Sequence, residues 1–368
     1  MRTLASSSPS LPTLPFHLIP EILSRLPVKF LLQLRCVCKS WKFLISDPKF
    51  AKKHLSLSTT LTVHCISYSR NAHVLLKSYS LDFGLTNIMQ TQFPSFDSNV
   101  FFVGSCDGIL CFVNSIIEST VLQLWNPSIR KFKELPPFVS EPQNFPFMYG
   151  FGYDPTSDNY KIVVVFSDLA HEDLSEDEVT DEVMDVKVHT LGTDSWKNVS
   201  KFPFPIISIE RRSGQHVSGT INWLVFMGIK RLIASYDLRN ECHKEFLLPD
   251  DSGKVEKNKL SLTVFRDCLC MISGEDVWIM KEYGNKESWT KLFTISYMRD
   301  ACALPYSYIK AICIFEDEQV LLIYRDDERR GYISYNYKND TSKFLEFENT
   351  PFTSGSGVCV ESLISPCF

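Results

Sequence analysis

The sequence predicts an α plus all-β protein: a short N-terminal three-helix module followed by a β-propeller-like repeat domain. Three observations carry this. The hydrophobic period changes from helical to strand-like near residue 55. Strand-rich runs then recur about every fifty residues, a spacing that suits radial repetition. Charge divides at the same place: nine Lys or Arg against Glu21 and Asp47 give +7 over residues 1–55 and leave −12 for the remainder of a chain whose net charge is −5.

Residues 1–13 carry no period and are read as a flexible tail. Ile19, Ile22, Leu23 and Leu26 follow the i, i+3, i+4, i+7 pattern of one helical face, and Pro20 is tolerated in a first turn, where its missing N–H costs nothing. Pro27 ends that helix. Val28, Leu31, Leu32 and Leu34 form a second apolar set, and Val37, Trp41, Leu44 and Ile45 a third. Asp47-Pro48 closes the third and can open a short fourth helix through His54. Helices this short are marginal alone, and some forty residues give a small core, so part of this apolar surface needs a partner.

The string "LPFHLIPEILSRLPVKFLLQLRCVCKSWKFLI" (14–45) resembles the F-box, the helical module that docks onto the Skp adaptor of cullin-based ubiquitin ligases. The resemblance covers residues 14–54. It rests above all on Leu14-Pro15, the Leu26-Pro27 break and the run Cys36 to Trp41. It implies that Leu14, Pro15, Ile19, Ile22, Leu23, Leu26, Pro27 and Leu31 face the adaptor, while Leu34, Val37, Trp41 and Leu44 hold the module together. Phe16 and His17 stand where an acidic pair is common. Cys36 and Cys38 form C-x-C, which lacks the usual zinc-site spacing, so they are read as plain thiols.

From residue 60 the strands "GILCFVN" (108–114), "GTINWLVF" (219–226), "DCLCMIS" (267–273) and "EQVLLIY" (318–324) are each entered by a turn residue and followed by a strand, an Asn/Asp/Gly turn and another strand. The interval from 108 to 219 is two periods and holds one further unit with an insertion. "TLTVHCI" with "HVLLKSYSLD" makes a unit before them, and "GVCVESLIS" (357–365) supplies a closing strand. No Gly-Gly pair or Trp-Asp dipeptide marks a kelch or WD repeat. Residues 100–365 instead resemble the kelch-like F-box associated domain of plant F-box proteins, through "SCDGILCF", "LWNPSIRKFKELP", "FGYDPTSDNYKIV", "VHTLGTDSWKNV", "GTINWL" and "YDL". That domain is taken to span 55–368.

Nine Asp or Glu fill residues 168–185, a density that resists compaction and predicts an exposed insertion. It lacks the spaced ligands and glycine of a Ca²⁺ loop. Scattered cysteines in apolar runs (Cys111, Cys268, Cys270, Cys313) read as packed thiols, and His64, His189, His216 and His243 as isolated packing or surface histidines. Trp125, Trp196, Trp223, Trp278 and Trp289 read as packing aromatics.

No membrane span, signal peptide, phosphate-binding loop, zinc-protease motif or nucleophile elbow is found, and no aromatic-interleaved basic stripe points to nucleic acid. The expectation is therefore an intracellular protein of cytoplasm or nucleus, without catalytic residues, metal or cofactor. The resemblance makes it the substrate receptor of a Skp-cullin-F-box ubiquitin ligase, with a protein target that the acidic remainder suits to be basic. An adaptor-bound sequestering protein and a propeller enzyme with an accessory helical module are the alternatives; ubiquitin transfer separates the first and adaptor-independent turnover the second.

Overall fold

Four helices and twenty-four strands lie among the residues described by this computed structural model: 15, 17–68, 74–80, 88–92, 100–116, 119–137, 145–167, 184–199, 201–204, 213–227, 230–249, 255–256, 259–295, 308–315, 318–325, 330–345 and 353–367. The N-terminal tail 1–13, Leu14, Phe16 and residues 168–183 of the acidic run fall outside them. No helix among the described residues is long and apolar enough to cross a membrane.

The helices are α1 (Leu18–Leu23), α2 (Val28–Leu34), α3 (Lys39–Ile45) and α4 (Pro48–Leu57). The three helices are followed by the fourth that Asp47-Pro48 opens, and the fourth is the longest. Asp47 accepts the Lys49 N–H at 2.7 Å, Pro48 fills the first position, and Phe50, Ala51 and His54 are buried on one side. Cap and buried face together sustain ten residues where propensity alone would not.

The strands form six antiparallel four-stranded sheets, the blades of a propeller. Blade 1 holds β1 (Leu61–Tyr68), β2 (Val74–Ser80) and β3 (Ile88–Gln92); blade 2 holds β4 (Val100–Cys106), β5 (Ile109–Ile116), β6 (Ser119–Asn126) and β7 (Lys131–Glu134). Blade 3 is β8 (Phe145–Asp154), β9 (Asn159–Ser167), β10 (Asp185–Thr190) and β11 (Trp196–Asn198); blade 4 is β12 (Gln215–Val217), β13 (Thr220–Met227), β14 (Lys230–Asp237) and β15 (Cys242–Leu247). Blade 5 is β16 (Leu260–Phe265), β17 (Cys268–Ser273), β18 (Asp276–Met280) and β19 (Trp289–Thr294); blade 6 is β20 (Tyr308–Ile314), β21 (Gln319–Arg325), β22 (Arg330–Asn336) and β23 (Thr341–Leu345). The last strand, β24 (Thr353–Val360), returns to blade 1 as its innermost member, pairing with β1 from Leu61↔Val360 to Ser67↔Thr353. Innermost strands β24, β4, β8, β12, β16 and β20 meet around the axis in that order. The ring is closed by the chain's two ends.

Repeated turn chemistry builds the blades. Asn126, Asp154, Asp237 and Asn336 each end a strand and accept the N–H two residues on (Ser128, Thr156, Arg239, Lys338) at 2.9–3.1 Å. Four residues after each stands a left-handed residue: Arg130, Asp158, Glu241 and Asp340, with φ of 54°, 52°, 51° and 52°. The Asx side chain stands in for a backbone acceptor and starts the turn; the left-handed residue aims the chain back into the ladder. Tighter two-residue turns at Asp107-Gly108, Ser218-Gly219 and Arg266-Asp267 join the inner strands of blades 2, 4 and 5, with positive φ at both positions as the hairpin twist demands.

Apolar clusters fill the wedges between neighbouring blades. Trp223 is buried and donates its indole N–H to the Tyr149 carbonyl at 2.9 Å, tying blade 4 to blade 3. Across the seam between blades 1 and 2, the Phe102 ring lies on Gly357, where an added Cβ would come within 2.2 Å of it. The wedge between blades 2 and 3 is different: its cluster continues into the helices, joining Leu23, Val28, Leu31, Ile45, Phe50 and Ala51 to the core residues of both blades. The helical module therefore shares a core with the propeller.

Candidate protein-docking surface

Short helices on a small core cannot hide every apolar side chain, and the structure shows which ones are left out. Leu18 and Ile22, one turn apart on α1, are 39% and 48% exposed; Phe30 of α2 is 51%, Val37 in the α2–α3 turn 63%, and Phe43 of α3 84% exposed. Lys29, Lys39 and Lys42 stand exposed beside them. Large apolar groups flanked by cations suit a protein surface of mixed apolar and acidic character.

The residues expected on this surface divide. Pro15, Ile22 and Pro27 are exposed, Ile19 and Leu26 are half-buried, and Leu14 lies outside the described residues. Leu23 and Leu31 are corrected: at 3% and 0% exposure they belong to the shared core, because the wedge of blades 2 and 3 takes the side of α1 and α2 that they occupy. Of the residues expected to hold the module together, Leu34, Trp41 and Leu44 pack half-buried against that core. Val37 is the second correction. Helix α3 begins only at Lys39, so the helical spacing from Val37 to Trp41 crosses a turn and Val37 points outward. Leu18, Phe30 and Phe43 were missed by the stripe-based reading; for Phe30 and Phe43 the signal was a large apolar residue beside lysines and off the stripe, and for Leu18 its place one turn before Ile22.

Electrostatic contacts fix the module. Lys53 of α4 pairs with Glu21 of α1, and that hydrogen bond and charge hold the Glu21 carboxyl below its ordinary range. Lys52 pairs with Asp158 of the β8–β9 turn and stands 5.9 Å from the centre of the Tyr153 ring. His54 Nε2 lies 2.9 Å from the Leu26 carbonyl, bracing α4 against the α1–α2 turn. The module thus sits on the end of the propeller that carries the Asx turns of blades 2 and 3. Strand ends Ser167 and Asp185, which flank the acidic run, lie at the opposite end.

Two titratable groups of the propeller, Asp107 and His216, are hydrogen-bonded within it. Asp107 is raised by burial while accepting the Tyr160 hydroxyl at 2.8 Å. His216 is lowered by burial and its Nε2 lies 3.1 Å from the Tyr153 carbonyl. Both shifts favour the uncharged form. Among the described residues no three His, Cys, Asp or Glu side chains are grouped as a metal site, and no disulfide forms.

Comparison with known proteins accords with this geometry. Residues 11–53 match the F-box domain family and residues 60–366 the F-box associated beta propeller domain family. The chain is 29% identical over 373 residues to the F-box/kelch-repeat protein At3g23880 of Arabidopsis thaliana, covering 96% of each chain. It is 28% identical over 386 residues to the F-box protein CPR1 of the same plant, covering 96% of this chain and 89% of that one. TolB from Acinetobacter baumannii shares the fold alone, with a TM-score of 0.50 and 10% identity over 84% of this chain and 70% of that one. The chain belongs to the plant-type F-box proteins whose C-terminal part is an F-box associated β-propeller domain.

Proposed function

We propose that the chain is the substrate-recognition subunit of a Skp-cullin-F-box ubiquitin ligase. The observation that carries this reading is the set of exposed apolar residues Leu18, Ile22, Phe30, Val37 and Phe43 on a basic module that is itself anchored to a propeller. Burial is worth roughly 25 cal/mol per Å² of apolar surface, so a partner covering these side chains has a substantial driving force. The adaptor contacts would come from Pro15, Ile19, Ile22, Leu26 and Pro27, joined by Leu18. The cullin is reached through the adaptor.

The chain would hold a protein target on its propeller and do no chemistry itself. Its contribution is proximity: a target lysine kept near the charged ubiquitin carrier reacts at a raised effective concentration. On this reading it works inside the cell without cofactor, nucleic acid or membrane.

The test is co-purification of the full chain with a Skp adaptor, followed by ubiquitin transfer to a target captured under proteasome blockade. Adaptor capture with transfer supports the reading; adaptor capture with a stably held, unmodified target would instead make the protein a sequestering scaffold. The acidic run at 168–185 would steer a basic target. Replacing residues 168–183 with a neutral linker should slow target association at low salt and leave adaptor binding unchanged.

A further inference from the structure

The last described residues, Glu361–Cys367, follow the closing strand β24 but belong to no blade. Their backbone is gripped from below by one buried side chain. Asn126, 0% exposed, donates through Nδ2 toward the Ser362 carbonyl at 3.1 Å, the Ser362 hydroxyl at 3.1 Å and the Ile364 carbonyl at 2.8 Å. The same Asn126 spends its Oδ1 on the Ser128 N–H, so both ends of the amide are used. Ser362, also 0% exposed, donates its hydroxyl to the Asp107 carbonyl at 2.6 Å and accepts the Ile364 N–H at 3.2 Å. A buried amide with several well-made bonds is a strong positional constraint, since breaking it strands desolvated groups.

The segment's apolar side chains join the core that the helices share with the propeller. Leu363 and Ile364, 9% and 4% exposed, lie in the continuous cluster that contains Leu23, Val28, Leu31, Ile45, Phe50 and Ala51 of the module and Leu135 of blade 2. At its start, Glu361 donates its N–H to the Thr60 carbonyl at 3.0 Å, and its own carbonyl accepts the Ser58 hydroxyl at 3.1 Å. Ser58 to Thr60 is the whole connection between α4 and β1. The segment is therefore hydrogen-bonded to the linker and to blade 2, and its apolar side chains belong to the core that includes the helices.

We infer that Glu361–Cys367 is a clasp that sets the orientation of the helical module on the propeller, and that Asn126 is its positioning residue. Beside the clasp, the module is held by the core it shares with blades 2 and 3, by three residues leading to blade 1 and by the exposed Lys52–Asp158 pair; apolar packing is non-directional and exposed ion pairs are weak, so the buried hydrogen bonds of the clasp are the directional constraint. With it, ring closure and module orientation become one event, because the strand that closes blade 1 runs directly into the clasp. The consequence for ubiquitin transfer rests on the substrate-receptor reading: a fixed module holds a propeller-bound target at a fixed place relative to the adaptor.

The test uses the full chain with spin labels on non-cysteine handles at Gln33 of α2 and Arg239 of blade 4, both exposed. Two variants are compared with it. One ends after Glu361 and so keeps β24 and the Ser58 contact. The other, Asn126→Asp, keeps the acceptor for Ser128 but loses the donor that grips the segment. We expect a single sharp interspin distance in the parent chain and loss of that peak to a broad spread in both variants, with the β-rich circular dichroism retained. An unchanged sharp distance in either folded variant overturns the clasp. Adaptor capture by the same proteins is an independent readout. Its failure in the parent would count against the ligase reading, while broadening of the distance in the variants would still support the clasp.

Discussion

His64 of β1 reaches across the closure seam to Cys359 of β24, with Nε2 3.0 Å from the thiol sulfur, while its Nδ1 lies 2.8 Å from the Ser78 hydroxyl of β2. The ring is thus bolted at a titratable group. Burial pushes this imidazole down from its ordinary 6.5 to about 3.

The sign follows from linkage. Above about pH 6.5 the residue is neutral in both folded and unfolded chains and has no effect on the balance. Below it the unfolded chain takes up a proton that the folded one refuses, so stability falls by about 1.4 kcal/mol per pH unit until about 3. Urea midpoints measured from pH 7 to pH 5 should fall less steeply for His64→Gln than for the parent. Equal slopes would show that the seam does not exclude the proton.

The corrected burial of α1 separates two adjacent residues. Leu23→Ala should lower stability by about 2–5 kcal/mol, as cavities in packed cores do, and Ile22→Ala by no more than about 0.5 kcal/mol. In adaptor pull-downs the order reverses: Ile22→Asp should lose capture while melting like the parent. An Ile22→Asp chain that still captured the adaptor would remove α1 from the proposed interface.

Lys161 of β9 is buried between blades 3 and 4. Its ammonium lies 3.0 Å from the Asp154 carboxylate and donates to the Leu238 carbonyl at 2.6 Å. Lys161→Met would leave a carboxylate without its buried cation and a carbonyl without its donor, a loss of about 3–5 kcal/mol. Chemical denaturation checks this, and a change below 1 kcal/mol on the same scale would mean that water replaces the ammonium.

Gly108 has φ +81°, and an added Cβ would lie 2.4 Å from the Ser362 hydroxyl oxygen and 2.8 Å from the Val360 carbonyl oxygen. Gly108→Ala therefore combines backbone strain with a collision against the chain leaving β24. It should cost more than about 1 kcal/mol. Hydrogen exchange should show faster opening at residues 360–364 than in blades 4 and 5.

Much of this was legible locally. Asn126-Pro127, Asp154-Pro155 and Asp107-Gly108 announce turns through chemistry confined to four or five neighbouring residues, and the strands between them follow. The unit before blade 2 was legible through repetition, and so was a closing strand, although it runs over Thr353–Val360 and the residues read as its continuation to 365 leave the sheet. Asn126 and Lys161 show what was not: each also holds a partner 236 to 238 and 77 residues away, respectively, and no local pattern encodes such a pairing. Leu23 and Ile22 show a subtler limit. Both satisfy the same helical stripe, and the wedge of blades 2 and 3, supplied by distant sequence, decides which turns inward.

Because β1 and β24 are neighbours in space and far apart in the chain, a ribosome delivers the two halves of one sheet at opposite ends of its work. At roughly 5–20 residues per second, β1 waits about 15–60 s for the strand that covers it. Throughout that time its inner edge offers unpaired N–H and carbonyl groups to any passing strand. A message that stops before Thr353 yields a chain whose first blade never gains the strand that covers β1. Such a product has no finished propeller, and its open edge is a template for aggregation.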